Sequence, residues 1–345
     1  MKKYVIAILG LISISMFGQT KIEINRFSKK YKGVLTVEKG FENEIFKKGT
    51  ISIIDSKTQE QIIEINSDEL TFDLDNNGNV KTNIVELPYG EQSIIIYQDF
   101  NFDGIKDLAI MDGQHSCYHG PSFQVYLEIK DRLVLSSEFT RLAQEYCGMF
   151  QTDYESKTIH TMTKSGCCWH QFSTFKVINN VPEPISITEE GSDFPFRIIT
   201  TTQWNNGKKT KEIEKIIDLQ QEGVAKIHSF TLASNQKQVV LYIIDNRILN
   251  YALIRPDKTV EFSYPIETID KNPDFKINKR ADSLTFKNKD AVYKIYETHL
   301  QNKVVAIGIM VQVAGKSYNL KGNLTSLKGS LKDIKATTLN NVIAK

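Results

Sequence analysis

The sequence predicts an all-β protein. From Lys21 to about Glu91, short runs of β-branched and apolar residues alternate with turn formers, which is the pattern of consecutive strands. The densest acidic motif, D-x-N-x-D-G-x-x-D over 99–107, is flanked by runs of the same kind and not by amphipathic helices. About 325 residues remain after an N-terminal leader, more than one hydrophobic core usually holds, so two β-rich domains are expected.

The leader is Lys2 and Lys3, an uncharged run from Tyr4 to Phe17, and small or neutral residues near Gly18. This reads as a signal peptide over 1–18, with the mature chain starting near Gln19 and destined for the periplasm or secretion. The run is short of the ~20 apolar residues that span a bilayer. No cysteine follows it, so no lipid anchor is expected. Without Lys2 and Lys3 the 43 basic residues fall to 41, equal to the acids, and neutrality argues against a nucleic-acid partner. No later stretch approaches membrane-spanning length.

Along the chain, Gly33 to Val37, Gly49 to Ile54, Gln61 to Ile65 and Leu70 to Leu74 read as strands. Asp73, Asp75, Asn77 and Gly78 imitate a metal loop, but the ninth position is Lys81, and a tight turn at Asn77 and Gly78 explains them better. The motif at 99–107 is different. Calcium takes six to eight oxygens, and a compact loop supplies them from alternate short polar side chains and a carbonyl. Here these are Asp99, Asn101, Asp103, the carbonyl of Ile105, and Asp107. An EF-hand needs a bidentate Glu at its twelfth place, which Ile110 holds, so this is a strand-loop-strand turn between Ser93–Tyr97 and Leu108–Met111. The alternative is a solvated acidic hairpin with Gly104 supplying φ > 0. Three carboxylates in nine residues repel one another unless a cation offsets them, which favours a metal.

Residues 113–122 are rich in turn formers and read as a loop before the strand Phe123 to Leu127. That loop carries His115, Cys117, Tyr118, His119 and Ser122. Serine-capped helical turns follow at 136–144, and an alternating strand at 171–177. Prolines at 182, 184 and 195 with Glu189 and Glu190 mark a linker over 181–195, between a first domain at 19–180 and a second at 196–345. The second domain is strand-rich, and its sequence assigns no chemistry.

All four cysteines, Cys117, Cys147, Cys167 and Cys168, fall within about fifty residues, and in an oxidising compartment such a set reads as disulfides. A bond between adjacent cysteines would be strained, so Cys167 and Cys168 are each expected to reach back to Cys117 or Cys147, with the pairing open. A zinc site built from His115, Cys117, His119, Cys167, Cys168 and His170 has the ligand types but not the spacing of a structural zinc site. No nucleophile elbow, H-E-x-x-H, P-loop or dinucleotide fingerprint occurs, which points to a binding protein and not an enzyme.

The block D-F-N-F-D-G-I-K-D-L-A-I over 99–110, Gly120, Pro121 and Ser122 leading to Val125, Tyr126 and Leu127, then Phe139 and Thr140, Gly148 to Phe150, and K-S-G-C-C-W-H over 164–170 resemble a group of secreted calcium-binding immunity proteins. The likeness spans Ser93 to Val177. It implies a β-propeller-like fold and inhibition of lysozyme-like peptidoglycan hydrolases, toxins that bacteria deliver through killing secretion systems. It also implies a structural calcium that shapes the neighbouring loop, His115 to Ser122, with His115, Tyr118, His119 and Ser122 facing the partner and Tyr118 entering the enzyme's cleft. From another class, a calcium-dependent surface adhesion or glycan-binding module is the alternative.

Overall fold

The computed structural model describes residues 19–86, 90, 92–205, 207–266, 273–301 and 303–345, so the signal peptide expected over 1–18 lies outside the described residues. Among the described residues the chain is nearly all β, 61% strand against 3% helix. It divides into two units, Met1–Ile187 with Gln203–Lys209, and Thr188–Thr202 with Thr210–Lys345.

In the first unit, β1 (Thr20–Ile24), β2 (Tyr31–Val37), β3 (Lys47–Asp55) and β4 (Gln61–Leu70) form one antiparallel meander. A second is formed by β5 (Ile95–Gln98), β6 (Asp107–Ser116), β7 (Gly120–Ile129) and β8 (Arg132–Leu135). Four-stranded meanders are the form of propeller blades, and the unit is propeller-like in this sense. Alternation sets the inner face: β2 buries Tyr31, Gly33, Leu35 and Val37 and leaves the residues between them half-buried. By contrast β6 is buried on both faces through Ser116 except at His115, which is why it reads as an apolar run and not as an alternation. The helix α1 (Ser137–Gln144) starts where Ser136 Oγ accepts the Phe139 amide at 3.4 Å, and it turns Phe139, Leu142 and Ala143 into the core. After it come the antiparallel strands β9 (Gln151–Asp153), β10 (Thr158–Ser165) and β11 (Trp169–Ile178). Ile159 and Phe175 from these join Ile51, Ile95, Leu108 and Phe123 in one core.

Three segments depart from the sequence expectations. The strand expected at 70–74 stops at Leu70, because Asp75 Oδ1 gathers the amides of Asn77 and Asn79, both at 2.8 Å, and closes a turn bridged by Leu74 and Val80. The loop expected at 113–122 is mostly strand: β6 and β7 run on to pair Gly113 with Ser122 and Ser116 with Gly120, leaving Cys117, Tyr118 and His119 as the tip. Bulges at Met111/Gly113 and Gly113/Ser116 absorb the residues that break the pattern. The linker expected at 181–195 is largely the strand β12 (Val181–Asp193). Pro182 and Pro184 are two apart, so their missing N–H groups lie on the same side of the strand and the other side remains intact for pairing. With β13 (Phe196–Asn205) and β14 (Lys208–Ile217), β12 carries the chain through the division between the units.

The second unit holds β15 (Val224–Leu232), β16 (Gln238–Ile244), β17 (Ile248–Ile254), β18 (Val260–Tyr264), β19 (Phe275–Asn278), β20 (Ser283–Asn288), β21 (Ala291–Leu300), β22 (Lys303–Val313), β23 (Lys316–Gly329) and β24 (Val342–Ala344). They form one ten-stranded sheet in which β15 pairs with β16 on one side and β23 on the other, and β24 lies parallel to β19. Its core includes Phe230, Leu241, Tyr251, Phe286 and Ile295. Inside it His228 Nε2 sits 2.9 Å from Glu297 Oε1, both side chains fully buried. Glu297 also accepts the Leu331 amide at 2.8 Å and the Ser330 hydroxyl at 2.9 Å. Burial alone would push its pKa up, but the bonds from His228, Leu331 and Ser330 outweigh burial and hold it below the usual carboxylate range.

Candidate metal loop and partner-binding hairpin

The acidic loop joins β5 to β6. Asp99 Oδ1 accepts the Asp103 amide at 3.2 Å and its Oδ2 the Gly104 amide at 2.9 Å, so the first carboxylate folds the loop over itself. Asp103 Oδ1 accepts the Ile105 amide at 2.8 Å, and Asn101 Nδ2 donates to Asp103 Oδ2 and to Asn180 Oδ1, each at 3.0 Å. Gly104 takes φ +90°, which the reversal demands. Phe100 turns the opposite way and packs edge-on against Phe150 in the core, 5.3 Å between ring centres.

Asp107 is the buried member. Its Oδ2 accepts the Phe100 amide at 2.8 Å and its Oδ1 the Glu128 amide at 2.9 Å. Burial pushes its pKa up to about 7; the two amides pull the other way, and the charges of Asp103 and Asp99 add to the rise. The donor set is made of hard oxygens suited to calcium, and a divalent cation would reverse that rise. Against this, each Asp107 oxygen already takes an amide, and among the described residues no three His, Cys, Asp or Glu side chains come together as a metal-holding group. To close on an ion, Asp99 and Asp103 must turn from their own loop's amides toward a shared centre.

The tip of the β6–β7 hairpin is anchored by a disulfide from Cys117 to buried Cys147, with Cα atoms 4.8 Å apart. The other bond joins Cys167 to Cys168, which corrects the expectation that each reaches back. Both lie exposed in the turn between β10 and β11, while Cys147 is already held against Cys117 inside the core. With no free cysteine among the described residues, the thiolates a zinc site needs are absent.

Tyr118 and His119 take φ +55° and +59°, a left-handed conformation uncommon for residues with side chains. Tyr118 is 54% exposed. Its hydroxyl accepts the Gly166 amide, and Lys164 Nζ stands 5.1 Å from its ring centre. His119 lies edge-on to Phe46 at 5.1 Å, with Nε2 3.5 Å from Glu69 Oε1. His115 is exposed on β6, its ring lying over Gly113. Ser122, expected at the partner surface, is fully buried. Its hydroxyl donates to Asp112 Oδ1 at 2.6 Å and accepts the His115 amide at 3.1 Å, while Gln144 Nε2 donates to Asp112 Oδ2 at 2.6 Å. Ser122 therefore braces the hairpin. Phe46, Glu69, Lys164 and Gly166 were missed, because nothing local in the sequence brings residues some fifty positions apart to one tip.

On the exposed face of β9 to β11, a cleft of about 330 Å³ is lined by Gln151, His160, Met162, Phe172 and Thr174. Among the described residues no helix is long and apolar enough to cross a membrane.

No family model matches the chain, and no curated protein does. Among solved structures it is similar to a Xanthomonas type IV secretion system related protein, at 18% identity and a TM-score of 0.42 over 55% of this chain and 92% of that one. It is also similar to the β-propeller domain of the Trilobed protease from Pyrococcus furiosus, at 9% identity and a TM-score of 0.19 over 87% of this chain and 97% of that one. A third is TolB from Acinetobacter baumannii, at 8% identity and a TM-score of 0.16 over 87% and 82%. At such scores these likenesses transfer neither topology nor function to this chain.

Proposed function

We propose that this chain is an extracytoplasmic binding protein, not an enzyme, that inhibits a lysozyme-like peptidoglycan hydrolase by seating the tip of the β6–β7 hairpin in its cleft. This is the role of the immunity proteins that residues 93–177 resemble. The observation that carries the reading is Tyr118: a half-exposed aromatic, in a left-handed backbone, on a tip anchored to the core by Cys117–Cys147. Strained backbone gathers at functional sites, and Tyr is among the commonest interface anchors. A tip already ordered loses little freedom on binding. His119 adjoins it, and His115 is exposed on β6 of the same hairpin.

Calcium is the ion we propose for the 99–107 loop, held by Asp99, Asn101, Asp103, the Ile105 carbonyl and Asp107. It would supply the positive charge that three neighbouring carboxylates lack.

The test is a peptidoglycan-hydrolysis assay with lysozyme-like enzymes, with and without chelator. Inhibition at micromolar protein that weakens in chelator is expected. No inhibition of any such enzyme would overturn the reading. The cleft of Gln151, His160, Phe172 and Thr174 favours a second reading, a calcium-dependent glycan-binding module, since an exposed ring among amide and hydroxyl groups suits a saccharide. Binding of peptidoglycan fragments without inhibition would select it.

A further inference from the structure

The two disulfides of the first unit do different physical work. Cys117–Cys147 closes a loop of sequence separation 30, so it removes much of the freedom of the unfolded chain. Cys167–Cys168 has sequence separation 1 and closes almost nothing. Its contribution to global stability through the unfolded state is therefore close to nil. It is also exposed on both residues, where Cys147 is buried.

What this bond does control is local. It locks Cys167 and Cys168 into a small ring directly after Gly166, which takes φ +62° in the same turn. The Gly166 amide is the group that donates to the Tyr118 hydroxyl, 48 positions away in sequence. On the same hairpin Lys164 pairs with His170 across the strands, and Lys164 also covers the Tyr118 ring.

We propose that Cys167–Cys168 is a reducible site that takes two electrons from a dithiol, and that its oxidation state decides whether Gly166 holds Tyr118 in place. A thiolate of the donor attacks one sulfur, forms a mixed disulfide and releases the other sulfur, which takes up a proton. The donor's second thiol then closes on the mixed disulfide and releases the remaining cysteine, which is protonated in turn. The donor leaves as its own disulfide, and Cys167 and Cys168 are left as two thiols. With the ring open, the turn regains its backbone freedom and the Gly166 amide loses its fixed aim. The proposal does not depend on the identity of any partner.

Trypsin separates the cysteines cleanly: Cys167 and Cys168 share the peptide 165–176, while Cys117 and Cys147 fall in two others. The purified full chain is titrated with dithiothreitol, alkylated and digested. Peptide 165–176 is expected to gain two alkyl groups at reductant concentrations about tenfold below those that label Cys117 and Cys147. In parallel, the ring cross-peak of Tyr118, assigned by its loss in Tyr118→Phe, is followed by NMR. It is expected to move as peptide 165–176 is labelled, and to occupy the moved position in Cys167→Ser/Cys168→Ser without reductant. Labelling of Cys117 and Cys147 first or together with the pair overturns the proposal. So does a Tyr118 signal that stays fixed while Cys167 and Cys168 are reduced.

Discussion

Asp107 accepts the backbone amide of Glu128 at 2.9 Å, which ties the last residue of the acidic loop to β7 and puts a titrating carboxyl inside the first unit. Its folded pKa, about 7, stands above the ordinary 3.8. For a raised group, the stabilising contribution is full below the unfolded value and is lost as pH rises through the folded one. In chelator, thermal stability is therefore expected to fall between pH 4 and 7, by on the order of a few kcal/mol. Calcium should flatten that slope. Melting curves across this range check it, and an Asp107→Asn variant, which cannot titrate, with an identical profile would remove Asp107 as the source.

Asp103→Ala removes the acceptor of the Ile105 amide and one proposed ligand. Its melting temperature should drop, and it should lose the rise that calcium gives the wild type, because a ligand bound only by the native state stabilises that state by mass action. A wild-type melting temperature indifferent to millimolar calcium would leave the loop a solvated hairpin.

Replacing Cys117 and Cys147 together by alanine should cost about 4 kcal/mol, the scale expected for a loop of this length. Replacing Cys167 and Cys168 should cost less than ~1 kcal/mol on the same reasoning. Denaturant melts of the two double variants compare them directly, and equal losses would contradict the difference in loop length.

Tyr118→Ala should leave the fold intact, since the ring is half-exposed, and weaken inhibition by about 30-fold, the scale of a 2 kcal/mol interface anchor. The inhibition constant measures this. Ser122→Ala, at a buried brace, should instead lower stability, because Asp112 loses a hydroxyl donor.

In the second unit, Glu297→Gln should cost about 3–5 kcal/mol, as removal of one partner of a buried pair does. The folded pKa of Glu297 is depressed, so its contribution is present above the unfolded value and is lost as pH falls through the folded one. The variant should therefore show a shallower acid-unfolding slope than the wild type.

The strands were legible where one face is buried, as in β2, where Leu35 and Val37 alternate with half-buried neighbours. Ser136 announced α1 through its capping chemistry. The acidic loop was legible as a turn, because Asp99, Asn101 and Asp103 act on their own neighbours. The rest depends on contacts between distant residues. Ser122 looked like a surface loop residue because its partners, Asp112 and Gln144, come from β6 and α1. The bond between Cys167 and Cys168 was argued away on local geometry, although the burial of Cys147 beside Cys117 left those two no other partner. Pro182 and Pro184 read as breakers because composition does not say on which side a strand needs its donors.

The seam between β15 and β23 brings together residues such as Thr231 and Ser326, 95 positions apart. Neighbouring hairpins such as β16–β17 and β21–β22 close over short distances, and that seam must wait for both halves of the sheet. Pairing across that seam therefore follows the local hairpins, and until it forms the unpaired margins of β15 and β23 are open edges on which a neighbouring chain can pair.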